Sequence, residues 1–230
     1  IVNGAAKIHY MFGGQFRVPV VIRAVGGGGR QLGATHSQTP DAVFAHFPGL
    51  KVVAPGTPRD AKGLLKAAIR TDDPVMFIEH ATLYQTKGEV PEGDYVEPIG
   101  VSKVQRQGSD VTIITYSKML QLSLQAAEQL ALEGVQAEVI DLRSLRPLDM
   151  GPAIASVQRT NRAVVVEEGW RSFGVGAEVS ARPPILGMAS CLKRMMTWPG
   201  TYIRRLETRN VGRRCAVISF SNMVVPLFST

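Results

Sequence analysis

A histidine that follows a run of glycines is the first candidate for chemistry in this sequence. Residues 26–38 are GGGGRQLGATHSQ, so four consecutive glycines precede His36 by seven to ten positions. A glycine run can surround a phosphate with backbone N–H groups, but the phosphate loop also ends in Gly-Lys-Ser or Gly-Lys-Thr, and neither follows here. The dinucleotide-binding spacing would require a glycine at position 31, where Gln31 stands. The glycines alone therefore favour a loop over a phosphate site.

The other histidines and the cysteines carry weaker signals. His9 and His46 have no recognisable partner, and His80 ends a predicted strand where the neighbouring Glu79 could pair with it, so we interpret all three as structural. The two cysteines, at positions 191 and 215, lack a Cys-x-x-Cys spacing and predict neither a zinc site nor a disulfide framework.

Length and charge set the class of protein. A chain of 230 residues is long enough for one large or two ordinary domains. Residues 182–230 hold eight of the 26 Lys and Arg but one of the 19 Asp and Glu, so the net charge of +7 lies in this segment. Dispersed basic residues without interleaved aromatic side chains do not predict a nucleic-acid partner. No apolar run reaches the ~18 residues of a membrane span, and no secretory signal opens the chain.

The elements that must position His36 alternate between short apolar strands and helices. Apolar strands separated by helices predict a parallel sheet covered on both faces. The predicted elements of the first half are a strand at 18–22, a helix at 38–47, a strand at 51–53, a helix at 57–70 and a strand at 75–78. The helix at 57–70 has clear start signals, because Thr57 can cap it, Pro58 suits its first position and Asp60 adds a carboxylate to its first turn.

A second α/β unit follows a segment without periodicity. Residues 86–108 are rich in Gly, Pro and Glu and are predicted to link two domains. The second unit is predicted to contain strands at 111–115, 137–140 and 163–166, and helices at 119–132 and 149–157. Arg182-Pro183-Pro184 would end a helix that begins near Gly176, and residues 182–230 are predicted to be an irregular basic tail. The predicted domains are thus 1–85 and 109–181.

Several segments together resemble the beta subunit of the decarboxylating component of pyruvate dehydrogenase, a member of the transketolase-like thiamine-diphosphate superfamily. The resemblance covers most of residues 4–181. The segments that carry it are GGQFRVPVVIR, RQLGATHSQ, FPGLKVV, DAKGLLKAAIR, DDPVMFIEH, TIITYS, EVIDLRSLRPLD, VVVEEGW and FGVGAE. It implies an α/β fold in which a partial parallel-sheet pyrimidine-binding domain precedes a transketolase C-terminal-like α/β domain, incomplete at residue 181.

The same resemblance implies a cofactor, partners and a site. Such beta subunits pair with an alpha subunit and a second beta subunit in a heterotetramer, and they act with a dihydrolipoyl acetyltransferase. Thiamine diphosphate lies between the subunits, and the alpha subunit holds its magnesium. His36 matches the family's active-site histidine. Because imidazole titrates near neutral pH, it suits proton transfer during acetyl transfer to the lipoyl group. The glycine run would then be a closely packed turn that delivers His36 at the start of the helix at 38–47.

A structural potassium ion is a further implication of the resemblance. The family often binds it through backbone carbonyls near the end of the helix at 57–70. These positions match Val20, Ala68, Ile69, Thr71 and Asp73. Hard cations prefer oxygen ligands, but an ordinary helix C-terminus also presents free carbonyls. Both interpretations stay open, because Thr71 and Asp73 depart from the family's usual residues.

Two departures from the family pattern define the alternatives. The first departure is the glutamate that activates the cofactor, which is expected before Ile1, so we expect the sequence to be incomplete at its N-terminus. The second departure is the tail at 182–230, which does not match the family. The alternatives are a branched-chain 2-oxo acid dehydrogenase beta subunit and a truncated, non-catalytic assembly module. The resemblance places the protein in the mitochondrial matrix or the plastid stroma, or in the cytoplasm of a bacterium.

Overall fold

The computed structural model of the protein describes residues 1–182 and a strand at 214–219. Within these residues the helices are α1 (Ala5–Met11), α2 (Asp41–His46), α3 (Pro58–Arg70), α4 (Lys118–Leu132), α5 (Gly151–Thr160) and α6 (Val175–Ala181), with 3-10 helices at Ala34–His36 and Ala81–Gln85. The strands are β1 (Val21–Gly26), β2 (Lys51–Val53), β3 (Val75–His80), β4 (Lys103–Arg106), β5 (Val111–Thr115), β6 (Ala137–Asp141), β7 (Ser144–Arg146), β8 (Arg162–Glu167) and β9 (Arg214–Ser219).

The first sheet has the strand order β1-β3-β2-β7. Strands β1 and β2 both run parallel to β3, and Val21 and Lys51 flank Val75 from its two sides. Strand β7 is antiparallel to β2. Because β7 follows β6 in the chain, the second half of the protein completes the sheet of the first half.

The second sheet has the order β4-β6-β5-β8-β9. Strands β6 and β8 are parallel to β5, β9 is parallel to β8, and β4 is an antiparallel edge strand on β6. Its central strands β5 and β6 are buried at every position. Burial on both faces is typical of central parallel strands, and here it also encloses polar side chains such as Thr112 and Glu138.

One apolar core joins the two sheets. Met76 and Ile78 of β3 lie in the same buried cluster as Ile114 of β5 and Ile140 of β6. A separate cluster on the other face of the first sheet packs α3 against it through Leu64 and other residues. The strands of the first sheet are therefore packed against the second α/β unit.

Helix α3 begins as its sequence predicts. The Thr57 hydroxyl accepts a hydrogen bond from the backbone N–H of Asp60 at 3.1 Å, and Pro58 occupies the first turn. Such a cap stabilises a helix by ~1 kcal/mol. Leu64 and Ala68 are buried and lie one turn apart, so they form the stripe that packs on the sheet.

The parallel α/β fold predicted from the sequence is confirmed, but several element boundaries differ, and prolines explain two of the differences. Strand β1 begins at Val21 rather than at residue 18, because Pro19 has no N–H to donate to a ladder. Helix α2 begins at Asp41 rather than at residue 38, because Pro40 disfavours helical backbone at the residue before it.

Three strands lie where the sequence predicted none, and one of them is β7, which falls between the predicted strand 137–140 and the predicted helix 149–157. Strand β4 falls inside the predicted linker 86–108, and all four of its residues are half-buried, so no continuous apolar run marks it. Strand β9 lies in the segment 182–230, which was predicted to be irregular, so that prediction is wrong at 214–219. Parallel pairing with β8, from Arg162 opposite Arg214 to Glu167 opposite Ser219, supplies its backbone partners. The rest of the predicted tail lies outside the described residues.

Among the described helices, none combines the length and the apolar character that a membrane crossing needs.

Candidate functional site

His36 lies on the loop that leaves the carboxyl end of β1. It ends the 3-10 helix Ala34–His36, and its side chain is exposed. The Ser37 hydroxyl donates to the Gly33 carbonyl at 2.8 Å and holds this turn closed. His36 faces an open cleft of about 270 Å³, whose other described lining residues are Val25, Arg30, Leu32, Thr35, Gln38, Pro40 and Ala81. Ligands of parallel α/β sheets bind at this edge, outside the carboxyl ends of the strands.

The glycine run forms the base of this loop. Gly26, Gly27 and Gly28 are buried, and the Gly27 N–H donates to the Gln38 carbonyl at 2.8 Å. Gly27 has φ +86°, and a Cβ there would lie 2.8 Å from Cε1 of His80 and closer still to Nε2. Only glycine fits a backbone with this φ packed so closely against an imidazole. The glycines therefore form a closed turn that brings both ends of the His36 loop together.

A glutamate from the second domain binds this turn. The Gly28 N–H donates to Oε1 of Glu168 at 2.9 Å. His80 Nε2 lies 2.6 Å from Glu168 Oε2, and the Lys118 ammonium lies 3.9 Å from Oε1. Burial alone would raise the pKa of Glu168, but the His80 imidazole, the Gly28 N–H and the Lys118 charge hold that pKa below its ordinary value. This carboxylate is ionised at neutral pH.

The partner predicted for His80 is wrong. Glu79 bonds instead with Arg23 at 2.8 Å and with the Tyr84 hydroxyl at 2.6 Å, because neighbours in a strand point to opposite faces of the sheet. His80 is buried and contacts Glu168, which is distant in sequence. The only sequence signal for Glu168 was its place at the carboxyl end of a predicted buried strand, where a polar side chain is unusual.

Two further carboxyl groups are buried beside this contact. Burial is the main cause that raises the pKa of Asp41 to about 6, against a hydrogen bond from Tyr116. Burial also raises the pKa of Glu167 to about 7, although the Gly176 N–H donates to its Oε2 at 2.9 Å. Burial and the nearby Asp41 and Glu167 charges raise the pKa of the Tyr116 hydroxyl well above its ordinary value. The buried Asp41 and Glu167 carboxyl groups behind the His36 loop can therefore bind protons near neutral pH.

Three of the five residues predicted to bind potassium make other contacts within the chain. The Val20 carbonyl accepts from the Val75 N–H at 2.9 Å. The Lys51 ammonium lies 2.8 Å from both the Thr71 hydroxyl and an Asp73 carboxylate oxygen. Ala68 and Ile69 lie in the last turns of α3. The Lys51 ammonium thus lies beside Thr71 and Asp73, two of the five predicted ligands. This contact favours the interpretation of the segment as an ordinary helix C-terminus.

The remaining histidines have local contacts. His9 Nδ1 lies 2.8 Å from the Phe16 carbonyl oxygen, and the His46 ring packs edge-on against Phe47 with centroids 5.4 Å apart. Neither lies on the cleft that His36 faces. Of the cysteines, Cys215 lies in β9 and Cys191 lies outside the described residues.

The cleft beside His36 can present a proton donor or acceptor to a ligand that packs on apolar side chains. Val25 and Leu32 are 59% and 52% exposed, so their surfaces are available to an aromatic ring, while His36 supplies the polar atom. None of the described residues that line this cleft carries a carboxylate. Within the described part of the chain, no group of three or more His, Cys, Asp or Glu could hold a metal ion.

Comparisons with known proteins agree with this geometry. Residues 2–87 match the transketolase pyrimidine-binding domain, and residues 100–183 match the transketolase C-terminal domain. The chain is 51% identical over 182 residues to the beta subunit of acetoin:2,6-dichlorophenolindophenol oxidoreductase of Cupriavidus necator, a match that covers 79% of this chain and 54% of that protein. It is 51% identical over 183 residues to the mitochondrial pyruvate dehydrogenase E1 component subunit beta-1 of Oryza sativa, covering 78% of this chain and 49% of the relative.

A bacterial relative and a solved structure extend the comparison. The pyruvate dehydrogenase E1 component subunit beta of Rickettsia felis is 49% identical over 181 residues, covering 79% of this chain and 56% of that protein. The chain thus spans about half the length of the curated relatives that it matches. A solved split-gene transketolase, described as an inactive beta4 tetramer, has a TM-score of 0.66 and 22% identity, with 96% of this chain and 65% of that chain covered, and supports the fold. The chain therefore belongs to the transketolase family, with a pyrimidine-binding domain followed by a C-terminal domain.

Proposed function

We propose that this chain is part of the beta subunit of a pyruvate dehydrogenase. The enzyme would decarboxylate pyruvate oxidatively and transfer the acetyl group to the lipoyl group of a dihydrolipoyl acetyltransferase. The observation that carries the proposal is the identity of about one half, over about four fifths of the chain, to such subunits from a plant and a bacterium. These relatives do not favour the branched-chain alternative.

The role proposed for this chain is one wall of a site shared with an alpha subunit. Thiamine diphosphate, when bound, supplies the nucleophile and electron sink for the loss of carbon dioxide. Val25 and Leu32 would pack against its pyrimidine ring, and His36 would exchange a proton with the substrate or the lipoyl sulfur. The activating glutamate is not among the described residues that line the cleft. The alpha subunit would hold the magnesium, and a second beta subunit would complete the heterotetramer.

The potassium assignment to Val20, Ala68, Ile69, Thr71 and Asp73 remains a separate proposal, and the function does not depend on it. Lys51 reduces the need for a cation there, because its ammonium already neutralises Asp73.

The experiment is His36→Ala in the native enzyme that contains this sequence, assembled with its alpha subunit. Loss of a general acid-base group lowers kcat by about 10²- to 10⁴-fold. We therefore expect acetylation of the lipoyl domain from pyruvate to fall by at least a hundredfold. His46→Ala is the matched control, because His46 is also exposed but lies away from the cleft. A kcat for His36→Ala equal to that of the control would refute the role of His36.

The same enzyme decides between substrates. Acetoin is the second candidate, because the Cupriavidus necator relative is as similar to this chain as the plant relative. Pyruvate, acetoin and a branched-chain 2-oxo acid are compared by kcat/KM. A preference for acetoin or for the branched-chain acid would overturn the assignment to pyruvate. No turnover with any of them, in a complex that still assembles, would support the non-catalytic assembly module.

A further inference from the structure

We propose that Glu168 is a positioning residue that fixes His36 by tying the glycine turn of the first domain to the second domain. The proposal deepens the proposed function and rests on it for the role of His36. The tie, by which we mean the contacts of Glu168 with Gly28 and His80, rests on contacts within the chain.

Each carboxylate oxygen of Glu168 contacts a different part of the first domain, Oε1 through a hydrogen bond and Oε2 through a short ion-pair contact. Oε1 accepts the Gly28 N–H at 2.9 Å, and Oε2 lies 2.6 Å from His80 Nε2. The side chains of Glu168 and His80 are 7% and 5% exposed, so water does not replace either contact. Buried, charge-assisted hydrogen bonds are among the stronger ones in proteins. Glu168 therefore binds the end of β1 and the end of β3 together.

The contacts of Nδ1, the second ring nitrogen of His80, fix the orientation of its ring. The backbone N–H of Thr82 donates to His80 Nδ1 at 3.2 Å, and the Thr82 hydroxyl lies 2.8 Å from the same atom. A backbone N–H is always a donor, so Nδ1 accepts and the ring proton lies on Nε2. The protonated Nε2 then lies 2.6 Å from Glu168 Oε2, a close contact whose N–H direction is not that of a hydrogen bond. The imidazole is thus oriented from behind and holds its proton beside the carboxylate without having to be charged.

The hold on Gly28 reaches His36 through one short backbone path. Gly27, next to Gly28, donates to the carbonyl of Gln38, which is two residues after His36. The intervening 3-10 helix is closed by the bond from the Ser37 hydroxyl to Gly33. Moving Gly28 away from Glu168 therefore loosens the bond that closes the loop, and with it the position of the imidazole. His36 itself does not touch Glu168.

The first measurement is hydrogen–deuterium exchange of the chain with Glu168→Gln. The amide oxygen of Gln can accept from Gly28 or from His80, but its NH₂ group cannot accept, so one of the two bonds is lost. We expect amides in residues 27–38 to exchange at least tenfold faster, while those of β5 are unchanged. Glu178→Gln is the control, since Glu178 is an exposed carboxylate of α6 that pairs with Arg182. Unchanged exchange at 27–38 would overturn the tie.

The second measurement separates positioning from simple stability. In the assembled enzyme, Glu168→Gln is expected to lower kcat by about ten- to a hundredfold with little change in KM, as misplacement of a catalytic group does. In a double-mutant cycle, Glu168→Gln should have no further effect on kcat once His36 is Ala. An effect that persists in the His36→Ala background would overturn the positioning role.

The two proposals fail in different ways. If residues 27–38 loosen but neither variant changes turnover, the tie stands and the catalytic role proposed for His36 fails. If His36→Ala abolishes turnover but Glu168→Gln leaves it unchanged, the function stands and the positioning role fails. Should Glu168→Gln not fold, His80→Gln removes the imidazole and leaves the Gly28 bond in place, and the same cycle applies.

Discussion

A buried ion cluster between the two domains gives the most demanding test of how this fold is held. The Arg143 guanidinium lies 2.9 Å from Asp60 and 3.0 Å from Glu97, and it also donates to the Val101 carbonyl at 2.7 Å and 3.1 Å. The side chains of Arg143 and Asp60 are 3% and 0% exposed. Arg143→Met keeps the apolar stem but leaves Asp60 as a buried carboxylate without its cation.

The expected cost follows from this burial. Each hydrogen bond to a charged group contributes about 1.5–3 kcal/mol, and breaking a buried pair by removing one partner costs about 3–5 kcal/mol. Since a domain is stable by only about 5–15 kcal/mol, Arg143→Met should remove a large part of its stability. We expect the free energy of unfolding to fall by about 3–5 kcal/mol, measured by urea titration followed by circular dichroism at pH 7.

Two further variants decide the cause of that loss. Arg182→Met removes an exposed arginine that pairs with Glu178, and its cost should stay below about 0.5 kcal/mol. Asp60→Asn combined with Arg143→Met removes the uncompensated charge and should recover at least half of the loss. If Arg143→Met costs no more than Arg182→Met, the cluster does not hold the domains together. If the double variant recovers nothing, the cost comes from packing and the electrostatic explanation is wrong.

Two predictions concern a glycine and the buried carboxyl groups. Gly49 has φ +96°, and a Cβ there would lie 2.9 Å from the Ala6 carbonyl carbon, so Gly49→Ala should lower the unfolding free energy by more than Gly134→Ala, which has φ +81° but open space around it. Backbone strain alone costs ~1–2 kcal/mol, so equal losses in urea titrations would exclude a clash with α1. Burial raises the pKa of Asp41 to about 6 and that of Glu167 to about 7. Between their unfolded values near 4 and these folded values, the folded state binds more protons than the unfolded state. Their contribution to stability is therefore complete below about pH 4 and lost as the pH rises through 6 and 7. We expect the unfolding free energy to fall by on the order of 2 kcal/mol from pH 5 to pH 8, and Asp41→Asn with Glu167→Gln to flatten that slope. A stability that rises over this range would contradict the assignment.

The elements that the sequence predicted well are those whose signals are local. Helix α3 carries its cap, its proline and its apolar stripe within its own residues, and the structure reproduces its start at Pro58. Residues 75–78 of β3 are a continuous apolar run, and all four are buried. His36 was predicted from a match that spans several segments, and the structure places it at the carboxyl edge of the sheet, where a ligand site is expected.

What the sequence could not predict depends on contacts between distant residues. His80 was assigned to its neighbour Glu79, but its contact is Glu168, which belongs to the other domain. Strand β4 pairs with β6, and its sequence Lys-Val-Gln-Arg has no apolar run that could have predicted it. Neither kind of contact leaves a periodic pattern, and spacing rules therefore miss it.

These long-range contacts change how the site should be understood. Residues 2–87 are recognised as one domain and residues 100–183 as another, yet the loop that carries His36 is held from both. Strand β7 extends the first sheet, Arg143 neutralises Asp60 in α3, and Glu168 binds the glycine turn. In all three contacts one partner belongs to the second domain. The other partner lies near the carboxyl edge or at the side of the first sheet. Because the His36 loop is held partly by its own domain and partly by the second domain, we expect a substitution in the second domain to change turnover without touching the ligand.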